Sequence, residues 1–207
     1  ALPILVALTD HNTCRNCPAF MAAAAEYGLL AVPGMEINTS EEVHAVCLFP
    51  NLEAALCFDS YVYGKLIRFP NNEAIFGKQQ IYNEQDQVCG TEPNLLINAT
   101  EISFDGLWEL VRSYGGVMFP AHVDKTANSL IANLGFIPPD SRFRTAEVKD
   151  LKKLHQLQKD NPYLDKCRII SNSDAHYLEH MNEPELTLQV EEKTVQGIID
   201  ALLDGAG

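Results

Sequence analysis

The chain has 207 residues, of which 46% are hydrophobic and 21% are charged, and this size fits one domain with a sizeable buried core. Its 12 glycines and 11 prolines exclude a collagen-like repeat, and its hydrophobic content excludes general disorder. The 28 acidic against 15 basic side chains give a formal charge of −13, so we expect no extended nucleic-acid surface.

The apolar run at the start of the chain, residues 1–8, is too short to span a membrane and lacks the positive flank of a signal peptide. We therefore predict a soluble, cytoplasmic protein. Disulfide frameworks belong to short secreted chains, so we predict free thiols at Cys47, Cys57, Cys89 and Cys167.

Strands and helices alternate in the first half of the chain. Residues 2–8 form an uninterrupted apolar run, which is typical of a parallel strand buried on both faces. The Ala-rich segment 18–27 begins with proline and is followed by Gly28, the usual punctuation of a helix. We also predict strands at 29–32 and 43–49, a helix at 52–66, and a hairpin or excursion at 79–90.

The same alternation continues in the second half. Ser103 caps a helix that stops at the Gly115–Gly116 pair, and Thr194 caps a last helix that ends at Gly205. Between these two helices we predict strand 117–120, helix 126–134, strand 143–148, helix 150–159, strand 167–170 and strand 186–190. No linker or repeat interrupts the pattern, so it favours a single domain with a parallel α/β sheet, open or closed into a barrel.

Side chains that bind metals lie at or beside five of these strands. The segments are Thr9-Asp10-His11, Pro33-Gly34-Met35-Glu36, Glu42-Val43-His44, Ala121-His122 and Ser173-Asp174-Ala175-His176. All but the His44 segment follow a strand, and the carboxyl ends of parallel strands share one edge of a sheet. We therefore expect these imidazoles and carboxylates to converge on one pocket, where they suit zinc, manganese or iron. Two or more such ions would bind a phosphate and activate a water molecule.

Each single position also has a simpler structural interpretation. A histidine at a strand end is often a hydrogen-bonded loop residue, and an aspartate after a strand often caps the next helix. The collective placement nevertheless favours the metal site, and an extended Asp174-Ala175-His176 segment would present both polar side chains to one side. His155, on a predicted solvated helix face, and His180, in a polar loop, are not assigned to the site.

Cys14 and Cys17 form a Cys-x-x-Cys pair shortly after His11. The pair is compatible with a zinc clip, with a redox pair at a helix start, and with two incidental thiols. The sequence contains one such pair, so this motif does not provide a four-cysteine zinc site. A phosphate loop, a dinucleotide glycine fingerprint and a serine nucleophile elbow are absent from the sequence.

The ordered set of segments resembles the PHP (polymerase and histidinol phosphatase) family of metal-dependent phosphoesterases. The match runs through Leu8-Thr9-Asp10-His11-Asn12-Thr13, Val32-Pro33-Gly34-Met35-Glu36-Ile37, His44, Ala121-His122 and Ser173-Asp174-Ala175-His176. The resemblance implies a distorted (β/α)7 TIM-like barrel with two or three divalent metal ions at its carboxyl face. It also implies hydrolysis of a small phosphomonoester or a nucleotide phosphate, with a metal-bridging hydroxide as the attacking group.

The resemblance implies six metal ligands, which are His11, Glu36, His44, His122, Asp174 and His176. Glu36 would bridge two ions. His44 and His122 would complete one of these ions, and Asp174 would hold the other. His11 and His176 would bind a third ion.

Two further residues receive catalytic roles from the resemblance. Asp10 would orient His11 or a metal-bound water, and Lys125 would neutralise the substrate phosphate. The family opens with a His-x-His strand that has no counterpart in this sequence, so we expect the first β/α unit to precede residue 1. Two ions would then lack ligands, and we expect the zinc, manganese or iron content of this chain to be reduced.

Two other functions remain open. The chain could be a non-catalytic PHP-type accessory module, since PHP domains also occur fused to bacterial DNA polymerases. It could also be an amidohydrolase-like enzyme, which would keep the ions and cleave amides instead. Those enzymes usually carry a bridging lysine, for which Lys125 is the candidate here.

Overall fold

The structure, a computed structural model, describes residues 4–183 and 186–205. In this part of the chain, eight strands form three separate sheets, and seven α-helices accompany them. The strands are β1 (Leu5–Leu8), β2 (Leu30–Asn38), β3 (His44–Leu48), β4 (Gln80–Tyr82), β5 (Val88–Thr91), β6 (Val117–Pro120), β7 (Thr145–Glu147) and β8 (Arg168–Ile170). The helices are α1 (Cys17–Glu26), α2 (Leu52–Lys65), α3 (Glu73–Phe76), α4 (Phe104–Ser113), α5 (Leu130–Leu134), α6 (Leu154–Asp160) and α7 (Val195–Asp204).

The main sheet has four strands in the order β1-β2-β3-β6. β1 runs parallel to β2, whereas β3 is antiparallel to both of its neighbours, β2 and β6. β2 and β6 therefore point in the same direction. β7 and β8 form a parallel pair, and β4 and β5 form an antiparallel hairpin.

The predicted distorted (β/α)7 TIM-like barrel is wrong. Among the residues that the structure describes, the strands form three sheets, and none of these closes on itself. The physical reason is visible at β3, which follows β2 after the short connection 39–43. A parallel neighbour would need a crossover of a dozen residues or more, so a connection of this length returns the chain antiparallel. The backbone N–H of Thr39 donates to Val43 (3.1 Å) and closes the turn.

Several predicted elements have different limits in the structure. The second strand continues through Pro33 and Gly34 to Asn38, so Glu36 lies inside a strand instead of in a loop after it. Gly34 permits this path because a Cβ at its position would stand 2.8 Å from the carbonyl oxygen of Cys47. The segment 186–190, predicted as a strand, has no regular secondary structure.

The first strand also differs in its burial. Leu5 is 40% exposed, so the expected burial of this strand on both faces is wrong. β1 pairs with β2 alone and lies at the edge of the main sheet, where one flank has no strand neighbour among the described residues. An apolar run alone cannot distinguish an edge strand from a central one.

Two apolar clusters pack against the main sheet. One contains Met35, Phe49 and Phe58, and covers one face of β2 and β3. The other contains Val32, Val46, Leu48 and Phe119 and packs against Ile198 and Leu202 of α7. Successive side chains of a strand point to opposite faces. Glu36 therefore lies on the same face as Val32, and His44 on the same face as Val46, which is the face that packs against α7.

None of the helices within residues 4–183 and 186–205 combines the length and the apolar character needed to cross a membrane. The predicted cytoplasmic location and the assignment of the whole chain to one domain stay predictions.

Gly116, which precedes β6, offers a test of the packing between this strand and β3. A Cβ at Gly116 would stand 2.6 Å from the carbonyl oxygen of Leu48 and 2.9 Å from Val111. We expect Gly116→Ala to lower the free energy of unfolding by about 1–3 kcal/mol, because the added methyl group overpacks the site.

Gly64 in α2 provides the matched control, because its Cβ would meet no atom within 4 Å. Gly64→Ala should raise the free energy of unfolding by about 0.5–1 kcal/mol, since alanine restricts the unfolded chain and favours the helix. Urea denaturation measures both changes. Equal effects of the two substitutions would contradict the packing described for Gly116.

Candidate metal centre

Backbone pairing places His11 directly beside Glu36. The chain after β1 continues parallel to β2, where Glu36 N–H donates to the carbonyl of Asp10 (3.1 Å) and Asn12 N–H donates to the carbonyl of Glu36 (2.9 Å). His11 is therefore the residue that stands opposite Glu36 in this short ladder. Its imidazole and the Glu36 carboxylate meet with His11 Nδ1 3.5 Å from Oε2.

The antiparallel course of β3 brings His44 to the same place. His44 is the first residue of β3 and pairs with Asn38, the last residue of β2. The start of β3 therefore lies at the edge where β2 and β6 end. The backbone N–H of Ala121 donates to the carbonyl of His44 (3.0 Å), which delivers the next residue, His122, to this edge.

The Glu36 carboxylate is the centre of a buried histidine cluster. Its Oε1 lies 3.1 Å from His44 Nδ1 and 3.2 Å from His122 Nε2. The rings stand in a row, with centroids 5.0 Å apart for His11 and His44 and 5.5 Å apart for His44 and His122. Glu36, His44 and His122 are buried, while His11 is partly exposed. The cluster thus has one side that reaches solvent.

The loop after β8 supplies the remaining two predicted ligands. The ring of His176 lies 6.0 Å from that of His11, and His176 Nδ1 is 3.2 Å from the carbonyl oxygen of Asp174. A cavity of about 250 Å³ opens at this point. All six predicted ligands line it: His11, Glu36, His44, His122, Asp174 and His176. The structure therefore brings them together, and their roles as ligands stay a prediction.

Two of these residues have a backbone conformation that is uncommon outside glycine. His122 has a φ of 31° and Asp174 a φ of 50°, both in the left-handed region. Non-glycine residues adopt such angles at a cost that the surrounding structure must offset, and these angles often occur at functional sites. In this chain they turn the loops after β6 and β8 towards the cavity.

The electrostatics of the cluster favour an anionic Glu36 carboxylate and a neutral His11 imidazole. Burial tends to raise the pKa of Glu36, but hydrogen bonds from His122 and His44 outweigh it and hold this pKa below its ordinary value. Burial lowers the pKa of His11, and this effect exceeds the attraction of the Glu36 charge. Ionised carboxylate and neutral imidazole are the forms that bind metal ions.

The donor set fits a divalent metal ion. Ligand atoms of His11, Glu36 and His44 all lie within 4.8 Å of one another. Ligands about 2.1 Å from a tetrahedral ion stand about 3.4 Å apart, and His11 Nδ1 lies 3.5 Å from Glu36 Oε2. Buried ring nitrogens also remain without a hydrogen-bond partner, namely His11 Nδ1, His44 Nε2 and His122 Nδ1. Such groups are costly to bury unless something binds them.

The two predicted catalytic residues are placed differently. Lys125 lines the cavity and its ammonium contacts the Asp174 carboxylate. The Asp10 carboxylate instead accepts a hydrogen bond from Asn16 Nδ2 (3.0 Å) at the start of α1. The role of Asp10 in orienting His11 stays a prediction, and burial raises the pKa of Asp10.

Sequence reasoning did not single out three residues that shape this centre. Glu147 ends β7 and is buried, although an acid at a predicted strand end is the same signal that identified the others. Ile97 lies in the segment between β5 and α4 and lines the cavity. Asn12 connects the segment after β1 to the segment around Ile97, since its Nδ2 donates to the carbonyls of Leu96 (2.7 Å) and Asn98 (2.8 Å). No local pattern indicates such long-range contacts.

The Cys14–Cys17 pair lies in the core, away from the cavity. Both side chains are buried, and both sulfurs donate to the carbonyl of Gly34, at 3.2 Å from Cys14 and 3.5 Å from Cys17. The hydrogen bond with Cys17, together with burial, raises the pKa of Cys14. The same hydrogen bond lowers the pKa of Cys17, but both thiols are shielded from solvent and are therefore poorly placed for redox exchange. The contacts indicate a structural role, fastening α1 to β2 close to Glu36.

No family model matches the chain, and no curated protein matches it. Solved structures do share its fold. The lesion-specific endonuclease PfuEndoQ from Pyrococcus furiosus aligns with a TM-score of 0.56 and 16% identity, over 98% of this chain and 48% of the other. Endonuclease Q in complex with a 27-mer duplex substrate, with an abasic lesion at the active site, aligns with a TM-score of 0.55 and 15% identity, over 99% and 49%.

The chain spans about half the length of these two endonucleases, and at such low identity the likeness shows a shared fold. The comparison overturns the expected partner, a small phosphorylated substrate with no extended nucleic-acid surface, because one of the matching endonucleases was solved with a DNA duplex. Net charge was a poor guide, since it averages over the whole surface while binding depends on the local potential at a site.

The burial of the cysteines makes a prediction for thiol chemistry. All six cysteines are free; Cys57 and Cys89 are exposed, whereas Cys14, Cys17, Cys47 and Cys167 are buried. We expect a thiol-specific chromogenic reagent to modify two thiols rapidly in the native protein and six in denaturant. Rapid native modification of Cys14 or Cys17, identified by peptide mass spectrometry, would contradict their structural role and support a redox pair.

Proposed function

We propose that this chain is a PHP-type, metal-dependent phosphodiesterase domain that cleaves DNA. The observation that carries this proposal is the convergence of one carboxylate, three neighbouring imidazoles and the Asp174–His176 loop on one cavity. The fold shared with two structures of endonuclease Q supports a phosphodiester of DNA as the substrate. The PHP resemblance of the same segments supports the use of metal ions.

The residues of the cavity divide into groups that would hold the ions. Glu36 would bridge two ions, with His44 and His122 on one of them and Asp174 on the other, and His11 with His176 would hold a third. Zinc, manganese and iron all suit this mixture of imidazole and carboxylate. When bound, such ions supply Lewis-acid stabilisation of the phosphate and an activated water molecule.

The protein itself fixes the charge of the Glu36 carboxylate and the position of Glu36 relative to His11. The hydrogen bonds from His44 and His122 keep Glu36 ionised, so the carboxylate is available without first losing a proton. The backbone ladder at Glu36 fixes its position relative to His11. Both groups therefore need little rearrangement when a ligand binds, which is the basis of catalysis by preorganisation.

Two lysines, Lys125 in the cavity and Lys149 beside it, provide positive charge next to the Asp174 loop. Lys125 contacts the Asp174 carboxylate, and Lys149 contacts the backbone carbonyl of Ser173, one residue earlier. The Lys125 side chain is partly exposed and the Lys149 side chain is exposed, so both are accessible to a phosphate group. These charges provide a local attraction for DNA on a protein whose formal charge is −13.

The proposal predicts cleavage of DNA that depends on both a metal ion and His122. We expect the wild-type protein to cut a short duplex, with or without an abasic site, when Mn²⁺ is present, and to stop when a chelator is added. Replacing His122 by Ala should lower turnover by about 100-fold or more, because the centre loses one of its nitrogens. Gel electrophoresis of end-labelled duplex measures the product.

His155→Ala is the matched control, because His155 lies on the exposed side of α6, outside the cavity. This variant should cut as the wild type does. Equal loss in both variants, or unchanged cleavage by His122→Ala, would contradict the assignment. Metal binding without cleavage of any duplex would instead indicate the non-catalytic accessory module.

A further inference from the structure

Glu147 is a buried carboxylate with few partners. It ends β7 and is 3% exposed. Its Oε2 accepts one hydrogen bond, from Asn172 Nδ2 (3.0 Å), while the buried Oε1 has no hydrogen-bond partner. Its one described side-chain partner is thus a neutral amide. A buried carboxylate that lacks a positive partner is strongly unfavourable, so its presence calls for a compensating interaction.

The position of Glu147 connects it to both loops that turn into the cavity. Its carbonyl oxygen accepts from the N–H of Val123 (2.9 Å), the residue that follows His122. Its carboxylate holds Asn172, which precedes Asp174 by two residues. Glu147 therefore fastens the His122 loop with its backbone and the Asp174 loop with its side chain.

The charges around Glu147 belong to the same centre. Burial is the main cause that raises the pKa of Glu147, and the negative charges of Glu36 and Asp174 raise it further, whereas the Asn172 hydrogen bond and His122 lower it. Two buried carboxylates, Glu36 and Glu147, and the partly buried Asp174 thus lie around the histidine cluster, with the Lys125 ammonium on Asp174. A divalent cation would offset their mutual repulsion, and each carboxylate would in turn strengthen the attraction for the cation.

We propose that Glu147 is a positioning residue of the metal centre, which fastens the His122 and Asp174 loops together and strengthens cation binding through its negative charge. This inference rests on the proposed function, since it requires a metal ion in the cavity. The proposed role of Glu147 differs from a purely structural one because it requires the negative charge of the carboxylate. A structural fastener would work equally well with an uncharged amide of the same shape.

The test therefore replaces Glu147 by Gln, which keeps the size of the side chain and an oxygen that can accept from Asn172. Titration calorimetry with Mn²⁺ should show a dissociation constant about 10- to 100-fold higher than that of the wild type, the range typical of residues that support metal ligands. The melting temperature of the chelator-treated variant should be equal to or above that of the wild type, because a buried charge has been removed.

Glu92→Gln is the matched control. Glu92 is equally buried, but its carboxylate contacts Arg15, Tyr63 and Asn94, outside the cavity. This substitution should leave Mn²⁺ affinity unchanged and lower the melting temperature, because the Arg15 guanidinium loses the charged partner at 2.6 Å and keeps Asp59 at 3.7 Å. Glu147→Gln is thus expected to weaken Mn²⁺ binding without lowering the melting temperature, whereas Glu92→Gln is expected to lower the melting temperature without weakening Mn²⁺ binding. Glu147→Asp and Glu147→Asn form a second pair that differs in charge, with the aspartate expected to bind Mn²⁺ more tightly.

The outcomes separate the two proposals. If the wild type binds Mn²⁺ and Glu147→Gln binds it equally well, the role of the Glu147 charge is refuted while the metal centre stands. If the wild type binds no Mn²⁺, the metal centre itself is refuted, and this inference with it. Weaker binding by Glu147→Gln, with a melting temperature that is not reduced, is the result that supports the inference.

Discussion

The contact of one carboxylate with three imidazoles is the interaction on which the centre depends. Glu36 lies 3.1 to 3.5 Å from ring nitrogens of His44, His122 and His11, and it is buried. A lone carboxylate in such surroundings would take up a proton, but the imidazole hydrogen bonds keep its pKa below the ordinary value. The resulting anion gives the cavity a buried negative charge, and His11, His44 and His122 are arranged around it.

The topology of the sheet explains how residues so distant in sequence reach Glu36. The short turn after β2 forces β3 to return antiparallel, so the first residue of β3 lies beside the last residue of β2. β6 then pairs with β3 in the same direction as β2 and ends at the same edge. One edge therefore collects two carboxyl ends and one amino end. In an all-parallel sheet, His44 would lie at the opposite edge from Glu36.

Much of the site could be predicted from sequence, because metal-binding side chains at strand ends form a local pattern. His44 was the exception, because it lies at the start of a strand. The antiparallel pairing of β3 with β2 explains why it nevertheless lies beside Glu36. The barrel was wrong because residue patterns do not reveal the direction in which a strand pairs. The left-handed backbone at His122 and Asp174 and the contacts of Glu147 depend on tertiary packing, which a single sequence does not contain.

Asn12 gives the centre an anchor outside the main sheet. Its Oδ1 accepts from the backbone N–H of Asn38, and its Nδ2 donates to the carbonyls of Leu96 and Asn98, in the segment between β5 and α4. The residue that precedes Asn12 in the sequence is His11. One short side chain thereby ties the sheet edge to a segment that is far away along the chain. The position of the His11 backbone therefore depends on hydrogen bonds from Asn12 to the segment around Leu96 and Asn98. A change in the conformation of the loop around Ile97 would therefore displace the His11 imidazole. The position of Ile97 in the cavity wall is in this way coupled to the position of His11 relative to Glu36.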